Sequence, residues 1–343
     1  MTRRGAVVVM AVVAVAVALI AGGAGVSPAG AERAGGDSLR VGLVTDIGQL
    51  NDRGFNQLAY EGLKRAEKRL GVDGRVLQSG SAADYIPNMA SLARQGYDLV
   101  IGVGFAQGNA VDAVATRYPK TRFAIIDVSQ RDLKHRPRNV VGLLFREQEV
   151  GYLAGYLAAL VERRRPGADV ISSVGGMKEP PVDRFIAGWR AGARRANPKV
   201  RLLNGYSQDW DDQAKCKEVA LDHIARGAGV VFQVAGGCGL GALDAAKERR
   251  IWGVGVDADQ SFLGSHILTS AQKKVDQAVF LTIAGVKSRT WRGGRDLTYG
   301  LRQGGVGLAK INPRVAAADR RRIEDIARRI ARGQIRNIPT EVP

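Results

Sequence analysis

Leu39-Arg-Val-Gly-Leu-Val-Thr-Asp-Ile47, followed after a short loop by Phe55-Asn-Gln-Leu-Ala-Tyr-Glu-Gly-Leu-Lys-Arg-Ala-Glu-Lys-Arg-Leu70, sets the architecture. The first stretch is a short apolar run and predicts a buried strand. The second carries apolar residues at helical spacing and stops before Gly71, which predicts a helix. A buried strand feeding a helix is the repeating unit of a parallel sheet. The unit recurs downstream. Residues 75–78, 98–104 and 122–127 read as strands, with helices at 82–94 and 110–118 between them. A second series follows, with strands at 169–174, 200–206, 229–235 and 251–257 and helices at 147–163, 182–196, 212–226 and 240–249. This alternation predicts an α/β protein whose parallel sheets carry helices on both faces.

Two such series predict two lobes, with residues 139–145 as the first crossing between them. The tail departs from the alternation. Residues 266–271 are strand-like, 275–288 helical, and 315–331 form an amphipathic helix with Ile323, Ile326 and Ile330 on one stripe. The tail is expected to cross between the lobes and patch each. The expected division is 38–144 with 258–288 for the first lobe, and 145–257 with 289–343 for the second.

The chain has 343 residues, 45% hydrophobic and 24% charged, enough for two α/β lobes with a real core. Arg3 and Arg4, an apolar run over 6–21 and the small-x-small site Ala29-Gly30-Ala31 read as a secretory signal peptide over residues 1–31. An uncleaved membrane anchor is the alternative, because the apolar run is long. No cysteine lies near the cleavage site, so the expected location is extracellular or in the cell envelope without a lipid anchor there. The net charge of +18 is spread over helix faces such as Arg163-Arg164-Arg165 and is not interleaved with aromatics, which argues against a nucleic-acid partner. Cys216 and Cys238 are the only cysteines. An oxidising compartment and the lack of a competing thiol favour a disulfide between them, against free buried cysteines. The distance expected between a helix start and the following strand's carboxyl end counts against the bond.

Ligands of open parallel sheets bind beyond the carboxyl ends of the strands. The residues expected there include Asp46, Asp127, Asp257, Trp210 and the turn at Gly237. Strand-end carboxylates can accept hydrogen bonds from a sugar diol or a base edge; they can equally cap helices. Phe55 and Trp210, on opposite lobes, could sandwich a flat ring; the alternative for Phe55 is core packing. Gly237-Cys-Gly-Leu-Gly-Ala242, with Asp257 some twenty residues on, superficially matches a dinucleotide fingerprint. A glycine turn offering backbone amides to a small ligand fits equally well. The histidines, His135, His223 and His266, have no metal spacing, and no catalytic motif occurs, so neither metal, cofactor nor catalytic residue is expected.

Val44-Thr-Asp-Ile-Gly-Gln-Leu-Asn-Asp-Arg-Gly-Phe-Asn56 resembles the opening motif of the basic membrane protein family, purine-nucleoside-binding proteins of ABC transporters. The resemblance continues in Phe123-Ala-Ile-Ile-Asp127, Phe145-Arg-Glu-Gln-Glu-Val-Gly151, Gly175-Gly-Met-Lys-Glu-Pro-Pro-Val182, Val231-Phe-Gln-Val-Ala-Gly-Gly237 and Thr269-Ser-Ala-Gln-Lys-Lys-Val-Asp276. It implies a type I periplasmic-binding fold of two Rossmann-like lobes with a ligand cleft between them. It implies a monomer that passes a purine nucleoside to a permease, without catalysis. Carried over by position, the cleft residues are Asp46, Phe55, Asn56, Asp127, Trp210, Gly237, Asp257 and Lys273. The aromatics would hold the base, and Asp257 with Lys273 the ribose hydroxyls. Trp210 stands where the family usually has phenylalanine, and the family commonly carries small residues where Cys216 and Cys238 stand. A sensor that presents the ligand to a membrane receptor is the second reading. A nucleoside-processing enzyme is the third, disfavoured by the missing catalytic groups.

Overall fold

The computed structural model describes residues 38–167 and 169–342; the segment read as a signal peptide, residues 1–31, lies outside them. The chain begins with β1 (Arg40–Val44), α1 (Phe55–Leu70), β2 (Asp73–Leu77), α2 (Tyr85–Arg94), β3 (Leu99–Gly102), α3 (Gly108–Arg117), β4 (Arg122–Ile126) and β5 (Val140–Phe145). It continues with α4 (Glu147–Glu162), β6 (Val170–Gly175), α5 (Pro180–Ala196), β7 (Arg201–Tyr206), α6 (Gln213–Ala225), β8 (Val230–Val234), α7 (Gly239–Glu248) and β9 (Trp252–Asp257). The tail holds β10 (Ile267–Lys273), α8 (Val275–Lys287), β11 (Arg295–Tyr299), β12 (Val306–Leu308) and α9 (Ala317–Ala331).

These strands form two six-stranded sheets. The first runs β11-β5-β4-β3-β1-β2, with every neighbour parallel. The second runs β12-β10-β9-β8-β6-β7 and is parallel except for β12, which lies antiparallel to β10. Strands buried on both faces explain the apolar runs: Val41, Leu43, Leu99, Ile101 and Ile125 are fully buried.

The expected division of the tail needs correction. Residues 139–145 are not a bare crossing but contain β5, an inner strand of the first sheet paired on both sides. Within 258–288, assigned above to the first lobe, β10 belongs to the second sheet, while α8 packs against α1. Within 289–343, assigned to the second lobe, β11 joins the first sheet. The sequence concealed β11 because Arg295-Asp-Leu-Thr-Tyr299 is an edge strand with no fully buried residue, so no apolar run marks it. The chain therefore crosses between the sheets near Arg146, near Lys274 and again between Tyr299 and Val306.

Helices α4 and α5 pack backbone to backbone in the second lobe. A Cβ at Gly155 would lie 2.0 Å from the carbonyl oxygen of Trp189, and one at Gly192 would lie 2.0 Å from that of Tyr152. This close fit fixes the starts of both helices, which carry Glu147 and Glu179 to the edge where the lobes meet. Ile323, Ile326 and Ile330 bury the apolar stripe of α9. No helix among the described residues is long and apolar enough to cross a membrane.

Candidate functional site

The carboxyl ends of both sheets converge on one cleft with about 640 Å³ of space between side chains, part of it open to solvent. Asp46 lies two residues beyond β1, and Asp127 directly follows β4. Asp257 and Lys273 end β9 and β10. Phe55 and Asn56 open α1, Trp210 sits in the loop after β7, and Gly237 in the turn after β8. All eight line this cleft. Asp127 and Asp257 hold left-handed backbone, with φ of 73° and 62°, at the fourth strand of each sheet. Asp tolerates that conformation better than most residues, and such backbone clusters at functional sites.

At one end of the cleft, the Asp46 Oδ1 accepts from the Tyr85 hydroxyl and from the Ile47 amide at 2.7 Å. The Asp46 amide donates to Asn56 Oδ1 at 3.3 Å. Gly104, at φ 111°, makes room for the carboxylate: a Cβ there would lie 2.2 Å from Asp46 Oδ2. Burial pushes the Asp46 pKa up to about 6 against the bonds from Tyr85 and Ile47. Glu179, just before α5, lines the same cleft, and burial with the neighbouring charge of Asp46 pushes its pKa to about 7.

Asp52 and Asp257 stand at the other end. Asp52 accepts from the amides of Gly54, Asn56 and Gln57 at 2.9, 2.9 and 3.1 Å, so it caps α1 and holds Phe55 and Asn56 in place. The Asp257 carboxylate has no hydrogen-bond partner among the described residues. Burial raises its pKa to about 7, opposed by Lys273.

Lys273 joins the two lobes. Its ammonium donates to both oxygens of Asp127 at 2.7 Å and lies 2.9 Å from Glu147 Oε1. It also lies 5.0 Å from the ring centres of Phe55 and Phe145. Burial opposes its charge, but Asp127, Glu147 and Asp257 outweigh that and raise its pKa. Lys273, expected with Asp257 to hold the ribose hydroxyls, has its ammonium bonded to both oxygens of Asp127 and paired with Glu147 in this structure.

The far-lobe turn is cross-linked. Cys216 and Cys238 form a disulfide with Cα atoms 5.6 Å apart. The geometric objection raised from the sequence fails because α6 and α7 both begin at the carboxyl edge of the sheet, which brings their first turns together. The Cys238 amide donates to the Trp210 carbonyl at 2.8 Å, which joins the glycine turn to the aromatic loop. The Trp210 indole lies on the backbone of Gly176, where a Cβ would come within 2.4 Å of Cζ3.

Sequence reasoning missed Tyr85, Asp52, Glu147 and Glu179. Glu147 and Glu179 stood inside the matched motifs but ended no strand, and Tyr85 reaches Asp46 only through the packing of α2 on the sheet. Among the described residues no cluster of His, Cys, Asp and Glu is arranged to hold a metal.

Residues 39–337 match the family described as "ABC transporter substrate-binding protein PnrA-like". The chain belongs to this family. A Lactococcus lactis relative, named an ABC transporter nucleoside-binding protein, is 33% identical over 90% of this chain and 92% of its own length. An uncharacterized lipoprotein of Pyrococcus horikoshii is 36% identical over 79% of this chain and 69% of its own. The crystal structure of an ABC transporter solute-binding protein from Aeropyrum pernix superposes with a TM-score of 0.80. It is 28% identical, covering 88% of this chain and 94% of that one. PnrA-like proteins are binding proteins rather than enzymes, and their fold is the two-lobed α/β architecture described above. The expectation of an envelope location without a lipid anchor is overturned. The Pyrococcus relatives are named lipoproteins, which implies lipid-anchored cell-envelope proteins.

Proposed function

We propose that this PnrA-like chain is the binding component of an ABC importer and holds a purine nucleoside, without covalent chemistry, in the interlobe cleft. The observation that carries this reading is the charge balance between two aromatic walls. Asp46, Asp52, Asp127, Glu179 and Asp257 line the cleft, and Lys273 is its one lining cation among the described residues. That cation is already held by Asp127. A phosphate would meet carboxylates here, whereas a neutral ligand rich in hydroxyl and N–H donors meets acceptors. The phosphates of a dinucleotide would meet the same carboxylates, which argues against the cofactor reading of the glycine turn. Phe55 and Trp210 sandwich the base, each face worth about 1–3 kcal/mol. Asp46 and Asn56 read its polar edge, the Gly237 backbone borders it, and Asp257 accepts from the ribose hydroxyls. Asp127 and Lys273 brace the floor between the two ends.

The name of the Lactococcus relative supports the nucleoside class. The charged and apolar segments of residues 1–31, together with the Cys216–Cys238 disulfide, support export by a signal peptide, and the ABC-transporter family supports a permease as partner. A thermal-shift panel with adenosine, guanosine, inosine, uridine, guanosine monophosphate and simple sugars tests the reading. Purine nucleosides should raise the melting temperature, because a ligand of the folded state stabilises it by mass action. A shift with sugars and none with nucleosides would reject the ligand class.

A further inference from the structure

We infer that Glu179 sets the base preference of the cleft: with Asp46 it selects a purine edge bearing two adjacent N–H donors, the N1–H and 2-amino group of guanine. The inference rests on the nucleoside reading above and adds a choice among purines. Its basis is a pair of unused acceptors from opposite lobes at one end of the cleft. Asp46 is 8% exposed, and both of its hydrogen bonds fall on Oδ1, so Oδ2 carries none. Glu179 is the residue before α5 and lines the same cleft, and its carboxylate has neither a hydrogen bond nor an ion pair among the described residues. Both residues line the cleft from opposite lobes, and the charge of Asp46 opposes the ionisation of Glu179.

The cations that could neutralise Glu179 are engaged elsewhere. The neighbouring Lys178 donates to Asp183 at 2.8 Å, Arg184 lies 3.9 Å from Glu147, and Lys273 is held by Asp127. The Tyr85 hydroxyl already donates to Asp46. This end of the cleft therefore offers mostly acceptors, and Asn56 Nδ2 is its remaining side-chain donor. Guanine presents two adjacent donors to such a wall. Hypoxanthine presents N1–H alone, and adenine places the lone pair of N1 against a carboxylate. The ligand donor that meets Glu179 is matched by a charged acceptor, and an analogue lacking it leaves that acceptor unpaired.

Calorimetry on the full folded protein, freed of co-purified ligand, with guanosine, inosine and adenosine at pH 8 tests this. One hydrogen bond to a charged group corresponds to about 10- to 100-fold in affinity, so guanosine should bind that much more tightly than inosine. Glu179→Gln should narrow the gap and Glu179→Ala should close it, with guanosine losing affinity and inosine losing none. Equal binding of guanosine and inosine by the unaltered protein overturns the inference while leaving the nucleoside reading intact. A gap that persists in Glu179→Ala also overturns it. Binding of no purine nucleoside at all removes the reading itself, and this inference with it.

Discussion

Replacing Asp257 by asparagine should make the empty protein more stable and its complex weaker, and the opposite signs are the test. Asp257 is 7% exposed, and burial raises its pKa from 3.8 to about 7. Between those values the folded state keeps a proton that the unfolded chain has released, so stability falls as the pH rises through that window. At 1.36 kcal/mol per pKa step, holding the group ionised at pH 8 costs about 4 kcal/mol. Asparagine removes the charge, keeps the shape and tolerates the left-handed backbone at φ 62°. Its buried amide lacks partners, a penalty of about 1–3 kcal/mol. The net expectation is a gain of about 1–3 kcal/mol at pH 8, seen as a melting point higher by a few degrees. Near pH 4.5, where the native carboxyl is already protonated, the gain should vanish.

Binding should move the other way. A ribose diol would donate to both carboxylate oxygens, and asparagine offers one neutral acceptor in their place. The loss expected is about 10- to 100-fold for a nucleoside and little for the free base. Thermal unfolding by circular dichroism at pH 4.5 and 8, with calorimetry of guanosine and guanine, measures both effects. A variant less stable than the native protein at pH 8 would refute the buried-charge argument. Equal losses for base and nucleoside would refute the ribose assignment.

Trp210→Ala should weaken base and nucleoside alike, by about 1–3 kcal/mol in calorimetry, if stacking is its main contribution; a loss confined to nucleoside would place the indole against the sugar instead. Cys216→Ser with Cys238→Ser opens a loop closed across 22 positions and should cost about 3 kcal/mol in a denaturant titration by the chain-entropy model, so an unchanged midpoint speaks against a stabilising bond. Lys273→Met strands Asp127 and Glu147 without their cation and should destabilise the protein by about 3–5 kcal/mol. The defect should be larger at pH 8 than at pH 5, because burial raises the pKa of Glu147 and its protonation relieves the stranded charge; equal defects at both values would mean that lost packing is the cause.

The elements with a buried core were the ones the sequence displayed. Phe55–Leu70 reads as a helix because one face packs on the sheet, and the inner strands read as apolar runs because both faces are covered. β11 and β12 were invisible for the converse reason. They are short edge strands, and β11 alternates no buried side chains with exposed ones. The same asymmetry runs through the cleft. Residues that line it from strand ends follow from topology alone, since the carboxyl edge of a parallel sheet is fixed once the alternation is read. What those residues do to one another does not follow. Asp127 and Lys273 lie 146 positions apart at the ends of strands in different sheets, and their bond depends on β10 returning to the second sheet before the chain crosses back. Reading β10 into the first lobe put both residues on one side of the cleft. Placing β10 beside β9 instead turns the same lysine into the ion that spans the cleft, with Glu147 buried behind it. The acceptors without an ion-pair partner among the described residues then lie at the two ends, at Asp46 with Glu179 and at Asp257.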